Sequence, residues 1–262
     1  MAPSTLEQRI RAANDAQRTA LVPFLTAGFP TLERFWTELE ALDEAGADVI
    51  EIGVPFSDPV ADGPVVAAAS QRALDNGVTL AWILDGLRSR YGAGTGRTLR
   101  AGLVLMGYLN PFLQYGLERL AADASACGVG GFIVPDLPLD EDAPFRVALA
   151  PYGMDLIALV GPNTSEERMR QYAAVASGYV YVVSVMGTTG VRSGLPPEVA
   201  ATLARARRVF ALPLALGFGI SEPAQLQGLE TVPDAVVFGS ALLRHLDAGN
   251  GAGSFMAGWT GK

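Results

Sequence analysis

Eight short apolar segments recur along the chain, and the stretches between them have the spacing of amphipathic helices. Continuous apolar runs of this kind are typical of parallel strands that are buried on both faces. The strands are predicted at residues 21–26, 48–52, 102–106, 131–134, 156–160, 179–184, 213–216 and 235–238. Eight strand–helix units in a chain of 262 residues predict an α/β fold, the (β/α)8 TIM barrel of roughly 250 residues. A doubly wound sheet is the alternative, although it rarely needs eight such regular units.

The helical stretches carry start and stop signals. In residues 31–45 the apolar side chains share one stripe, Thr31 is predicted to cap the helix, and Gly46 ends it. The polar N-terminal segment also has a helical pattern, which predicts an extra helix before the barrel. Because no linker divides the chain, residues 1–262 are predicted to form one TIM-barrel domain. Its Gly-rich end, residues 248–262, is expected to be a loose tail.

The composition excludes several kinds of chemistry and partner. A net charge of −8 argues against binding to nucleic acid, which requires a basic face. A single cysteine, Cys127, and a single histidine, His245, leave no disulfide framework and no metal site of the usual zinc type. The one lysine is Lys262, so a lysine Schiff base has no donor at a barrel mouth. Any catalysis must therefore use carboxylates, tyrosines, hydroxyls and backbone amides. No apolar run is long enough to cross a membrane, and the low cysteine content suits a cytoplasmic protein.

In this fold the catalytic groups lie in the loops after the strands, and residues 51–64, EIGVPFSDPVADGP, form the densest such region. Strand alternation directs Glu51 into the barrel lumen. Burying a carboxylate there costs free energy unless the group is paired or has a catalytic role. Glu51 is either a structural carboxylate bridged to a hydroxyl or a general acid/base. Asp58 is interpreted as a turn residue. Asp62 either caps the helix that follows or holds a polar group of a ligand.

Glycines follow three of the later strands, at 187–190, 217–219 and Gly239-Ser240. Glycines in these loops let backbone N–H groups approach a phosphate, and a helix N-terminus adds its dipole. The three loops together predict a phosphate site, to which Ser240 would add a hydroxyl.

Aromatic residues are the remaining candidates. Tyr179 and Tyr181 share one face of their strand, and either both pack in the barrel or one hydrogen-bonds a substrate. Phe24 and Phe218 could line a flat apolar pocket, with core packing as the alternative for Phe24.

Seven segments, in order and spacing, resemble the tryptophan synthase alpha chain family. They are PFLTAGFP (23–30), EIGVPFSDPVADGP (51–64), GYLNPFLQYG (107–116), PDLPLDE (135–141), GTTGVR (187–192), GFGIS (217–221) and VVFGSAL (236–242). The segment 51–64 is the specific one, because many phosphate-binding barrels share the glycine loops. Two positions depart from the common pattern: Ala67 replaces a frequent glutamine, and GTTG replaces the commoner GVTG. Ala67 bears on coupling to a partner rather than on the chemistry.

The resemblance implies a barrel that cleaves indole-3-glycerol phosphate to indole and glyceraldehyde 3-phosphate by a retro-aldol reaction. It implies that Glu51 is the general acid/base, that Asp62 accepts the indole N–H, and that Tyr181 is the active-site tyrosine. The implied substrate-binding residues are Phe24 and Phe218 at the indole, Thr189 in a loop that closes over the site, and Gly190, Gly219, Gly239 and Ser240 at the phosphate.

The resemblance also implies a partner, a pyridoxal phosphate-dependent beta chain in an α2β2 complex. The cofactor is then expected on the partner, with none on this chain. Asn110-Pro111 and the loop around Asp58 correspond to the surfaces that face the beta chain. Two alternatives are a stand-alone lyase that releases indole and a catalytically quiet activator of a beta chain. Intact Glu51, Asp62 and Tyr181 argue against the quiet activator.

Overall fold

The computed structural model describes residues 4–183, 197–217, 219–226 and 229–260. In this part of the chain nine parallel strands form one sheet in the order β5-β4-β3-β2-β1-β9-β8-β7-β6. The strands are β1 (Ala20–Thr26), β2 (Val49–Gly53), β3 (Gly102–Met106), β4 (Val129–Ile133), β5 (Asp155–Leu156), β6 (Ala158–Val160), β7 (Val180–Val183), β8 (Leu214–Gly217) and β9 (Ala235–Phe238). The α-helices are α1 (Thr5–Asp15), α2 (Leu32–Glu44), α3 (Pro64–Asp75), α4 (Leu80–Tyr91), α5 (Leu109–Tyr115), α6 (Leu117–Ala126), α7 (Ala143–Leu149), α8 (Glu166–Ala173), α9 (Pro197–Val209), α10 (Ser240–Asp247) and α11 (Ala252–Thr260).

The strand predicted at 156–160 is interrupted at Ile157, which separates β5 from β6. β5 pairs with β4 and β6 pairs with β7, so two halves of one chain segment bring the ends of the sheet together. The N–H of Ile157 donates to the carbonyl oxygen of Phe132 at 2.9 Å beside the break. The result is a nearly closed barrel, which confirms the predicted (β/α)8 class.

Local signals set the helix boundaries as predicted. Thr31 caps α2, since its Oγ1 accepts the N–H of Arg34 at 3.2 Å. Gly46, just beyond the helix, has a φ of 96°, a left-handed conformation that favours glycine. No helix in the described ranges combines the length and apolar character needed to span a bilayer.

The predicted extra N-terminal helix is α1, and it covers the amino-terminal ends of β3 and β4. Its Leu6 is buried, and a Cβ added at Gly102 would lie 2.6 Å from the Leu6 side chain. Gly130 and Gly131 make similar room for the same leucine. Because this end of the barrel is covered by a helix, the opposite end carries the candidate site.

The C-terminal segment differs from the expected loose tail, because residues 252–260 form α11 and pack on the barrel. The N–H of Ala252 donates to Glu38 Oε2 at 2.7 Å, and Met256 is fully buried. The ring of Trp259 stacks on Phe238 with centroids 4.7 Å apart. Burial of these apolar side chains stabilises a helix that the glycine content disfavours.

Candidate active site

Glu51 is completely buried in the middle of β2, as strand alternation predicted. Its Oε1 accepts a hydrogen bond from the hydroxyl of Tyr179 at 2.8 Å. Its Oε2 is buried and has no hydrogen-bond partner within the described part of the chain. Burial raises the pKa of Glu51 to about 8, although the bond from Tyr179 opposes this shift. Glu51 is therefore mainly a neutral acid at pH 7.

The two tyrosines of the predicted pair have different surroundings. Tyr179 is fully buried and orients Glu51 through its hydroxyl. Tyr181 lies on β7 against Gly217, where an added Cβ would come within 2.3 Å of its hydroxyl oxygen. Burial is the main cause that raises the pKa of Tyr181, and the charges of Glu51 and Asp62 raise it further. The phenol of Tyr181 thus lies within electrostatic reach of both candidate carboxyl groups.

Asp62 is half-buried at the end of the loop that leads into α3. Gly63 occupies the N-cap position of α3, and no side chain makes a capping hydrogen bond there. The carboxyl group of Asp62 instead interacts with the hydroxyl of Tyr108. Burial raises the pKa of Asp62 to about 6, and the interaction with the Tyr108 hydroxyl limits the shift. The structure therefore argues against the helix-cap interpretation of Asp62.

Tyr108 was missed by the sequence analysis. Its hydroxyl accepts the N–H of Ala61 at 2.9 Å, and its ring stacks on Phe56 with centroids 5.0 Å apart. Tyr108 therefore positions both Asp62 and the loop that carries it. The available signal was its position two residues after β3, among the loops that carry catalytic groups in barrels. Ser70 connects the same loop to α3, since its Oγ accepts the N–H of Phe56 at 3.0 Å.

A cavity opens beside these groups at the barrel mouth. Its lining includes Phe24, Thr26, Gly53, Val54, Asp62, Val66, Ser70, Met106, Gly107, Tyr108 and Pro135. Phe24 packs directly over Gly53, where an added Cβ would lie 2.4 Å from its ring. Apolar walls with a carboxyl group at one side suit a flat aromatic ligand that carries an N–H donor.

The later glycine loops lie side by side, because β8 pairs with β9. Gly219 follows β8 and has a φ of 81°. Gly239 is the N-cap of α10, where no side chain makes a capping hydrogen bond. Ser240 begins that helix, so its first-turn N–H groups are suited to an anion. A Cβ at Gly239 would also lie 3.0 Å from the Phe24 ring, which places this loop beside the aromatic wall.

Three predicted site residues, Thr189, Gly190 and Phe218, lie outside the described residues. Their assignments, like those of the other candidate site residues, remain predictions.

Comparison with known proteins identifies relatives over almost the whole chain. Residues 10–255 match the family model described as Tryptophan synthase alpha chain. The chain is 74% identical to the tryptophan synthase alpha chain of Nitratidesulfovibrio vulgaris, with 99% of both chains covered. It is 63% identical to that of Desulfovibrio desulfuricans, with 97% of this chain and 98% of the relative covered. Among solved structures, Mycobacterium tuberculosis tryptophan synthase matches with a TM-score of 0.86 at 32% identity, covering 98% of each chain.

Proposed function

The chain belongs to the tryptophan synthase alpha chain family, and we propose that Glu51 and Asp62 carry its catalytic chemistry. It is a carbon–carbon lyase of tryptophan biosynthesis that cleaves indole-3-glycerol phosphate. One observation carries the residue assignment: two carboxyl groups, one in β2 and one in the loop that follows it, have pKa values raised to about 8 and about 6. At pH 7 one is mainly protonated and the other mainly ionised, the pairing that acid–base catalysis requires.

Glu51 serves as the proton shuttle in this proposal. Its neutral carboxyl group donates a proton to indole C3, which converts the ring to its indolenine form. The resulting carboxylate then takes the proton from the hydroxyl on the adjacent glycerol carbon. The bond between C3 and that carbon breaks, its electron pair restores the indole, and the hydroxyl carbon becomes the aldehyde. Glu51 ends protonated, so the proton count balances over one turnover. Tyr179 holds the carboxyl group in place throughout.

Asp62 stabilises the charge that develops on the indole nitrogen. Its carboxylate accepts the N–H, and this bond strengthens when C3 is protonated and the nitrogen becomes cationic. The partly buried position of Asp62 increases the strength of this interaction. Tyr181, within electrostatic reach of both carboxyl groups, is the proposed phenol that contacts the substrate.

Phosphate recognition is assigned to Gly190, Gly219, Gly239 and Ser240, with Thr189 in the loop that closes over the site. Within the described residues, these positions supply a helix N-terminus and a left-handed glycine, and both features suit phosphate binding by backbone amides. Phe24 and Phe218 are the proposed walls of the indole pocket.

A tryptophan synthase beta chain is the partner, and we assign pyridoxal phosphate to that chain and no cofactor to this one. Val60, close to Asp58, is 83% exposed, and Leu113, on the same helix as Asn110, is 53% exposed. Exposed apolar side chains at these two places support a protein interface there. The single cysteine, buried Cys127, suits the cytoplasm as the proposed location.

Steady-state assays of indole-3-glycerol phosphate cleavage, with and without added beta chain, test the function. Cleavage that the beta chain stimulates supports the alpha subunit. Rapid release of indole without any stimulation indicates the stand-alone lyase. Absence of cleavage under both conditions contradicts catalysis by this chain and favours the alternative of a catalytically quiet activator of a beta chain.

Replacing Gly219 with Ala is expected to weaken binding of glycerol 3-phosphate about tenfold, because a side chain disfavours the left-handed conformation by roughly 1–2 kcal/mol. Indole binding should be unchanged, and calorimetry measures both ligands. Gly94→Ala is the matched control, since Gly94 also has positive φ and open space around it but lies before β3. Equal losses for indole and glycerol phosphate, or an equal effect of the control, would refute the phosphate assignment.

Replacing Tyr108 with Phe is expected to lower turnover about tenfold, because Asp62 loses the hydroxyl that orients it and stabilises its charge. The pKa of Asp62 should rise further, so the acid side of the pH–rate profile should move to higher pH. Tyr115→Phe is the matched control, because it removes a tyrosine hydroxyl that interacts with another carboxylate, that of Asp123. Both variants are assayed without the beta chain. Unchanged turnover and an unchanged profile in Tyr108→Phe would show that Tyr108 does not position Asp62.

A further inference from the structure

Gln225 makes four side-chain hydrogen bonds to the loop after β8. It lies in the short 3-10 turn Pro223–Leu226. Its Oε1 accepts the N–H of Ser221 at 2.7 Å, the hydroxyl of Ser221 at 3.1 Å and the N–H of Glu222 at 3.1 Å. Its Nε2 donates to the carbonyl oxygen of Gly219 at 3.2 Å. One primary amide thus joins both sides of the loop that contains the proposed phosphate-binding glycine.

We propose that Gln225 is a positioning residue that holds the Gly219 loop in its phosphate-binding conformation. The inference rests on the proposed role of that loop and extends it to a residue outside the glycine segments. Gln225 acts through the backbone, so it is not a catalytic residue.

The bond from Gln225 fixes the orientation of the peptide group that follows Gly219. In a trans peptide the C=O and N–H point in opposite directions. Holding the Gly219 carbonyl toward Gln225 therefore directs the N–H of Ile220 to the other side. Gly219 has a φ of 81°, and a glycine in a loop has many alternative conformations to sample. Without the amide of Gln225, water would satisfy the same backbone groups and the loop would lose this restraint.

An amide side chain provides a donor and an acceptor on one rigid planar group. Glutamate at the same position keeps the acceptor for Ser221 and Glu222 but has no N–H for Gly219. It also sets a negative charge against that carbonyl and near the proposed phosphate. Gln225→Ala removes both the volume and the hydrogen bonds of the side chain, whereas Gln225→Glu keeps the volume and changes the hydrogen bonds. Comparison of the two variants therefore shows which of these properties matters.

Loss of this positioning should affect binding more than chemistry. A loop that must be ordered when the ligand binds lowers affinity for every phosphate-bearing ligand, in the ground state and the transition state alike. For Gln225→Ala the KM for indole-3-glycerol phosphate should rise about tenfold while kcat changes less than about twofold. Gln225→Glu should show at least the same increase in KM.

The test measures kcat and KM of the full-length chain with saturating beta chain, and the affinities for glycerol 3-phosphate and indole by calorimetry. Gln171→Ala, on the exposed side of α8, is the matched control. A higher KM, weaker glycerol phosphate binding and unchanged indole binding in both Gln225 variants support the proposal. If Gln225→Ala does not fold, Gln225→Met replaces it, because methionine has a similar size, adds no charge and lacks the N–H donor.

Three results would overturn the proposal. They are an unchanged KM in Gln225→Glu, a decrease in kcat as large as the increase in KM, or indole binding weakened as much as glycerol phosphate binding. Failure of the proposed function is distinguishable, since the wild-type chain would then cleave no substrate. The glycerol phosphate measurement would still test Gln225, and a wild-type chain that does not bind glycerol phosphate would refute both ideas.

Discussion

Replacing Glu51 with Gln should lower the turnover of indole-3-glycerol phosphate cleavage by at least about 10²-fold, the usual scale for loss of a general acid/base. The amide keeps the size of the side chain and an oxygen that can accept the bond from Tyr179. It cannot donate the proton to C3 and then remove the hydroxyl proton. Glycerol phosphate binding should persist, because the glycine loops are unchanged. Steady-state kinetics and calorimetry measure the two quantities, with Glu33→Gln on the exposed side of α2 as control.

Thermal stability shows whether the Glu51→Gln variant is correctly folded. The folded chain raises the pKa of Glu51 from 4.5 to about 8. At neutral pH the folded state thus keeps a proton that the unfolded state releases, which destabilises the fold increasingly as pH rises above 4.5. Glu51→Gln removes this penalty and should melt at a temperature at least as high as the wild type at pH 7. Near-normal turnover in a well-folded variant would remove Glu51 from the mechanism.

Replacing Asp62 with Asn is expected to lower turnover by about 10²-fold or more, because a neutral amide gives no charge stabilisation to the indole nitrogen. The melting temperature should stay nearly the same, since Gly63 rather than Asp62 occupies the N-cap of α3. Asp75→Asn at the exposed end of the same helix is the matched control. Kinetics and thermal melting of the two variants make the comparison.

The helix-cap interpretation predicts a different outcome for Asp62→Asn. Asparagine caps helices about as well as aspartate, so turnover and stability would both remain close to those of the wild type. Preserved turnover would therefore contradict the catalytic role of Asp62.

The barrel class could be predicted because hydrophobic periodicity is local information. The same alternation placed Glu51 in the lumen, and single residues such as Thr31 marked the helix boundaries. The interruption at Ile157 could not be predicted, since the run 156–160 is continuously apolar and the break depends on pairing with two different neighbours. The packed helix α11 could not be predicted, because its glycine content lowers its helix propensity and its stability comes from tertiary burial.

Contacts between distant segments account for the features of the site that sequence reasoning missed. Tyr179 and Glu51 are 128 positions apart, and no spacing rule links them. Tyr108 reaches the Asp62 loop from a different strand, and only the folded barrel shows that its hydroxyl serves two residues of that loop. The ambiguity of Asp62 itself was local, because a residue before Gly-Pro at a helix start fits either role. The observed N-cap at Gly63 argues against the capping role, and the ligand-binding role stays a prediction.

The pH dependence of kcat/KM for the wild-type chain tests the division of labour between the two carboxyl groups most directly. Asp62 must be ionised and Glu51 protonated, so the profile should be bell-shaped with limbs at about 6 and about 8. The phosphate of the substrate also titrates near pH 6, so the acid limb has two possible sources. The alkaline limb therefore provides the test. The account predicts that kcat/KM falls as pH rises through about 8. A value that stays level or increases through that range would show that Glu51 acts in its ionised form and would contradict the account.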